Sequence, residues 1–180
     1  MHGIILLELK KYVESRWGKT AWPTLVADTG LAGQTYLPVH EYPDDEMVAL
    51  VRTASTTTGF SVPAILEDFG EFIVPDLLLL YRSLIHSKWR TLDLLENTEK
   101  MIQRVVSLRN PSARTLQMSA ERRTPTEVRI RHRSAHRVCS VTKGIARGAA
   151  KHYGERIAIV EAQCITAGAS ECVLDLRLMN

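Results

Sequence analysis

The chain has 180 residues, 45% of them apolar and 24% charged, a composition that suits one globular domain with a sizeable core and excludes a fibrous or disordered chain. A formal net charge of +3 is too small to imply a nucleic-acid partner by itself. Three cysteines, Cys139, Cys164 and Cys172, are an odd number for a disulfide framework and too few and too widely spaced for a zinc ribbon.

The opening Ile4-Ile5-Leu6-Leu7 is interrupted by Glu8 and then by Lys10-Lys11. It is too short for a signal peptide or a membrane span, so a soluble, cytoplasmic chain is expected. Residues 4–17 carry Ile5, Leu6, Leu9, Val13 and Trp17 at helical spacing, with a stop at Gly18. A second helix starts at Trp22-Pro23 and ends near Gly30; residues 36–43, with two prolines, read as irregular. Pro43-Asp44-Asp45-Glu46 starts a third helix, with acids in its first turn and an end near Gly59. Ser61-Val62-Pro63 starts another, running to Gly70. Pro75-Asp76 starts the next, in which Leu77 to Leu80 are expected to be deeply buried. A long helix then repeats apolar residues from Leu92 to Val106 and ends before Pro111.

Beyond residue 110 the period changes. Residues 113–120 read as a short strand. Residues 126–133 alternate, with Val128, Ile130 and His132 inward and Arg129, Arg131 and Arg133 outward. Residues 136–153 form a helix whose Gly144, Ala146, Gly148, Ala149 and Ala150 allow close packing. Two last strands, 157–165 and 172–178, are joined by a Gly168-Ala169-Ser170 turn. The expected fold is therefore α+β: a helical part, 1–110, packed on a four-stranded antiparallel sheet with an inserted helix, 111–180, in one domain.

The order and spacing of several features resemble the H-NOX (haem nitric oxide/oxygen binding) family over essentially the whole chain. They are Met1-His2-Gly3-Ile4-Ile5 before a helix, Tyr42-Pro43-Asp44-Asp45-Glu46, the Phe69-Gly70 pair, and the long helix leading to Asn110-Pro111. The closing Cys164-x3-Gly168-x3-Cys172 hairpin belongs to the same set, and is similar also to vinyl-reductase-type small-molecule-binding domains. The resemblance implies a sensor domain that holds haem between the helices and the sheet. In the family a histidine about two turns before the helix-ending proline ligates the iron. Eight residues before Pro111 this chain has Gln103. An amide is a poor iron ligand beside imidazole, thiolate, thioether or phenolate. His86 lies nearly five turns upstream. The family grips the haem propionates with tyrosine, serine and arginine at alternate positions; here those positions are His132, Ser134 and His136, so only the serine remains. Histidine offers neither the permanent charge nor the bidentate fork of arginine.

The expectation is an H-NOX-like sensor that binds haem weakly or not at all and acts on a partner in trans, such as a histidine kinase or a cyclase. The alternatives are a module for another apolar or tetrapyrrole-like ligand, a haem-based NO or O2 sensor with a non-standard axial ligand such as His132, and a ligand-free scaffold. His132 also reads as a hydrogen-bonded core histidine; its four-residue spacing to His136 would suit a metal on one helix, but the two straddle a strand end and a helix start, so no metal site is assigned. The six arginines between Arg122 and Arg137 read as a solvated outer sheet face, with an anion site as the alternative. That run has no aromatic residue to stack on bases. The cysteines read as reduced thiols, Cys139 as a small buried helix residue, with a 164–172 disulfide or a metal as alternatives. Trp17, Trp22 and Trp89 read as core or boundary anchors. No Gly-rich phosphate loop, Ser/His/Asp set or paired carboxylates can be placed, so an enzyme is not expected.

Overall fold

The structure, a computed structural model, describes residues 2–109, 118–133 and 139–179, and on its fourth long helix only part of the side chains beyond Met101. Helix α1 spans Gly3–Trp17 and is capped by His2, whose ring nitrogen accepts from the Ile4 N–H. Helix α2 spans Ala21–Asp28 and α3 spans Asp44–Thr58. Three acids in the first turn of α3 complement its N-terminus, and Gly59, at φ +76, takes the left-handed conformation that closes its last turn.

Helix α4, Val62–Leu80, departs from the sequence reading. It runs unbroken through Gly70 and carries Pro75 inside it, where a break and a new start were expected. The reason lies in helix α6, Cys139–His152, which packs along both halves. A Cβ at Gly70 would collide with the Val141 carbonyl, and one at Gly144 with the Glu67 carbonyl. These glycines bring two helix backbones together and do not end a helix. The apolar run after Pro75 is also less buried than expected: Leu79 is 63% exposed and Leu80 48%. It belongs to the last turn of α4.

Helix α5 spans Thr91–Arg109. The strands are β1, Met118–Thr124; β2, Glu127–His132; β3, Arg156–Gln163; and β4, Cys172–Met179. They form one antiparallel sheet in the order β1-β2-β4-β3. The expected strand at 113–120 is displaced toward the hairpin, and 113–117 lie outside the described residues. The expected strand at 157–165 gives way after Gln163 to a short 3-10 turn, Ile165–Ala167.

Two apolar cores result. One is enclosed by α1 to α4 around Leu6, Tyr12, Leu50 and Phe69. The other lies on the inner sheet face, where Val128 faces Leu176 and Ile130 faces Leu174 beneath Leu92 and Leu95 of α5 and Ala146 of α6. Ile145 packs against both. On the outer face the arginines point away from the core, as the alternation implies, and are paired: Arg129 with Asp175 at 2.6 and 2.8 Å, Arg131 with Glu171 at 2.9 Å.

A contact at its N-terminus ties α5 to the segment before β3. The Glu155 carboxylate, just before β3, accepts from the Thr91 N–H at 3.1 Å and from Arg90 Nε at 3.3 Å, so it caps the start of α5. Burial alone would raise its pKa, but these hydrogen bonds hold it below the usual carboxylate range. A carboxylate with a depressed folded-state pKa stabilises the fold above its unfolded pKa, and that stability is lost as pH falls through the folded value. Replacing Glu155 with Gln is expected to cost about 1 kcal/mol at pH 7. In urea melts the gap to wild type should close as the pH falls below about 4. A gap that persists there would mean that the carboxylate charge is not what stabilises the cap.

Candidate functional site

An open cleft of about 520 Å³ lies between α1 and the end of α4. Ile4, Glu8 and Lys11 recur along one face of α1 and meet Asp76, Leu77 and Leu80 of α4. Glu8 is only 5% exposed. One of its oxygens accepts from Lys11 Nζ at 2.7 Å, and Lys11 also reaches Asp76 at 3.0 Å. The other oxygen is buried without a hydrogen-bond partner among the described residues. Burial raises the Glu8 pKa, against the pull of Lys11, while the hydrogen bond from Lys11 lowers that of Asp76. The cleft is thus an apolar groove with a buried, partly satisfied carboxylate on its floor. Its sequence signal is the four- and three-residue spacing of Ile4, Glu8 and Lys11, which sets a carboxylate among the apolar positions of residues 4–17.

Gln103 stands on an exposed face of α5, and its side-chain amide donates to Glu99 Oε1 at 2.9 Å, one turn back. His132 is 4% exposed, on the inner face of β2 beside Ile130. The inward orientation expected of it holds, while the expected hydrogen bond is not seen among the described residues. Neither ring nitrogen has a partner among the described residues. Burial lowers the pKa of this ring, partly opposed by the charge of Glu161. Ser134 and His136 lie outside the described residues, so the spacing of His132 to His136 has no structural counterpart here.

Directly across from His132 in the sheet is Cys172. Its sulfur lies 3.8 Å from that of Cys164, which lies 3.9 Å from that of Cys139. Burial pushes the Cys139 thiol up to about 12. The sequence placed Cys164 and Cys172 around one turn, but gave no sign that Cys139, at the first turn of α6, joins them. A smaller cavity of about 140 Å³ opens beside this group, between Leu66 of α4, Lys143 of α6 and Glu161 of β3.

The arrangement defines a class of protein: an α+β domain in which a helical unit and a sheet unit, each with its own core, are joined along a close helix–helix contact. A family model described as Haem-NO-binding matches residues 2–161, and the chain belongs to this family of haem-based gas-sensor and signalling domains. Solved structures agree. An H-NOX protein from S. oneidensis in the Fe(II)NO state is 21% identical over 100% of both chains, with a TM-score of 0.91. A mutant H-NOX from T. tengcongensis is 16% identical, covering 100% of this chain and 98% of that one, at 0.87. An Fe(II) unliganded H-NOX protein from K. algicida is 19% identical, covering 100% and 97%, at 0.84. At these identities the likeness establishes the fold alone. No match was found among curated proteins. The domains of this family bind small gaseous ligands, signal to partner enzymes and are generally not catalysts. Among the described residues no helix is long and apolar enough to cross a membrane.

Among the described residues, the cleft lining and Gln103 do not fit histidine-held haem. The described lining of the large cleft offers no imidazole, thiolate, thioether or phenolate to iron. Gln103 offers an amide already engaged with Glu99.

Proposed function

We propose that residues 1–180 form a single H-NOX sensor domain that responds to a small apolar or gaseous ligand without a histidine-ligated haem. It passes that response to a signalling enzyme in trans, such as a histidine kinase or a cyclase, in the cytoplasm, and catalyses nothing itself. Gln103, His132, Ser134 and His136 stand at the positions that the family resemblance gives to the iron ligand and the propionate grip, and they set the chain apart from haem-holding relatives. The observation that carries this reading is Gln103: a solvent-facing amide, hydrogen-bonded within its own helix, where the family resemblance calls for an imidazole.

The transmission follows from the packing. A ligand that prefers one arrangement of the two units shifts the population toward it by its difference in affinity. The α4–α6 contact is backbone against backbone at Gly70 and Gly144, so a displacement of α4 by an occupant of the cleft is handed to α6 with little slack from side chains.

The test compares haemin with metal-free protoporphyrin by thermal shift on the full chain. Without an axial donor the iron adds nothing, so the two compounds should shift Tm equally, by a little or not at all. A clearly larger stabilisation by haemin, corresponding to a tenfold or greater difference in affinity, about 1.4 kcal/mol, would mean that a residue of this chain ligates the iron.

A further inference from the structure

The floor of the cleft between α1 and α4 points to the class of molecule that occupies it, a step that rests on the proposed reading of the cleft as the sensing site. Glu8 is 5% exposed and lines the cleft together with Asp76. The two carboxylates share one lysine. Lys11 Nζ lies 2.7 Å from Glu8 Oε1 and 3.0 Å from Asp76 Oδ2. The other Glu8 oxygen, Oε2, is buried and has no hydrogen-bond donor among the described residues. A buried acceptor without a donor is costly, and native folds rarely keep one without a use.

Asp76 does not supply the donor. The hydrogen bond from Lys11 lowers its pKa, so it stands ionised near Glu8 and adds a second negative charge. One lysine therefore faces two carboxylates, one of them buried. The remaining cation of the lining, Arg82, is exposed just past α4, where solvent screens its charge. What the floor lacks is a positively charged donor.

The walls add the rest of the description. Ile4 of α1 and Leu77, Leu79 and Leu80 of α4 line the same cleft. Leu79 and Leu80 are large apolar side chains left exposed to water. An apolar body laid against them takes that surface out of water, which is favourable in proportion to its area. The volume, about 520 Å³, is that of a small-molecule site.

We propose that the cleft binds a small amphiphile with a protonated primary amine as its head and an alkyl group as its body. The ammonium donates to Glu8 Oε2 and to Asp76, and Lys11 keeps its bond to Glu8 Oε1. An ammonium has three donors and no acceptor, which suits two carboxylates and leaves one donor for water. The alkyl body lies along Leu77 and Leu80. Glu8 sets the specificity: a neutral alcohol brings a donor without the charge, and a carboxylate is repelled. Glu8 belongs to α1 and Asp76 to α4, so one bound head ties the two helices together. The backbone contact at Gly70 and Gly144 then carries the effect to α6.

The test is isothermal titration calorimetry of the full chain at neutral pH with octylamine, octanol and octanoate. The expected result is one octylamine per chain, bound at least about tenfold more tightly than octanol, with no measurable binding of octanoate. Glu8→Gln, which keeps the shape and removes the charge, should weaken octylamine by at least about tenfold and leave octanol unchanged. Leu80→Lys places a positive charge at a half-exposed position and should weaken octylamine more than octanol; it carries the test if Glu8→Gln does not fold. Glu14→Gln, further along α1, should change neither. Equal affinity for octylamine and octanol, or a folded Glu8→Gln protein with wild-type octylamine affinity, would overturn the ammonium site and leave an apolar-ligand cleft standing. Wild-type protein that binds neither compound would overturn the cleft as a binding site altogether. The haem-free reading is decided apart from these outcomes, by the haemin and protoporphyrin comparison on the same protein.

Discussion

Replacing Gly144 with alanine is expected to destabilise the protein by about 3 kcal/mol, which lowers Tm by about 6–12 °C in a domain of this size. In an isolated helix the same change would help, by about 0.8–1 kcal/mol of helix propensity. Here the new methyl would collide with the Glu67 carbonyl and lie 2.8 Å from the Glu71 nitrogen, both backbone atoms in the middle of α4. Relief requires two helices to separate along their whole contact. That also breaks the pairs of Arg147 with Glu67 and of Lys151 with Glu71. Gly148 offers a contrast. There the nearest atom is a Val74 methyl at 2.6 Å, which can give way by side-chain rotation, although the Glu71 carbonyl stands at 2.9 Å. Gly148→Ala should therefore cost clearly less than Gly144→Ala. Differential scanning calorimetry of the two variants decides the matter: equal or reversed costs would mean that α4 and α6 are not held backbone to backbone.

Much of this fold was legible in residue spacing. The alternation of Val128, Ile130 and His132 with arginines gave the inner and outer faces of β2, and the paired arginines on the outer face agree with it. The caps at Gly18 and Gly59 and the acid-rich start of α3 were legible because they are local. What misled was Gly70 and Pro75. Local rules treat both as breakers, but a neighbouring helix that needs a glycine to approach keeps the helix continuous. The identity of that neighbour is long-range information. The small-residue surface of α6 was visible in sequence, yet nothing in it names α4 as its partner.

A second large effect is expected from repairing the site. The combined variant Gln103→His, His132→Tyr and His136→Arg should retain haem through desalting at close to one per chain, where the parent chain retains none. The histidine supplies an imidazole for the iron. The arginine supplies a permanent charge with a bidentate fork for a propionate, and the tyrosine a fixed hydroxyl donor. Gln103→His alone should give haem that washes out, because the propionates remain unheld. If the combined variant, folded by circular dichroism, retains no haem either, the three departures are not what separates this chain from haem-holding relatives, and the cleft itself excludes the group.

The candidate site was legible only in part. Gln103, an exception to a spacing rule, could be found by counting back from Pro111. The burial of His132 followed from the period of its strand. That its ring nitrogens have no partner among the described residues did not, because hydrogen-bond satisfaction depends on elements far away in sequence. The gathering of Cys139 with Cys164 and Cys172 was hidden for the same reason: the register of β2, β4 and β3 and the placement of α6 create it. The buried carboxylate of Glu8 was hidden by its place in an ordinary-looking amphipathic helix.

The most direct test of the central claim is the absorption spectrum of the purified wild-type chain after incubation with excess haemin and desalting. A member of this fold that holds no histidine-ligated haem should show only the protein band, with no Soret absorption in proportion to chain concentration. A sharp Soret band at one haem per chain, with the spectrum of a five-coordinate, histidine-ligated iron after reduction, would contradict the account.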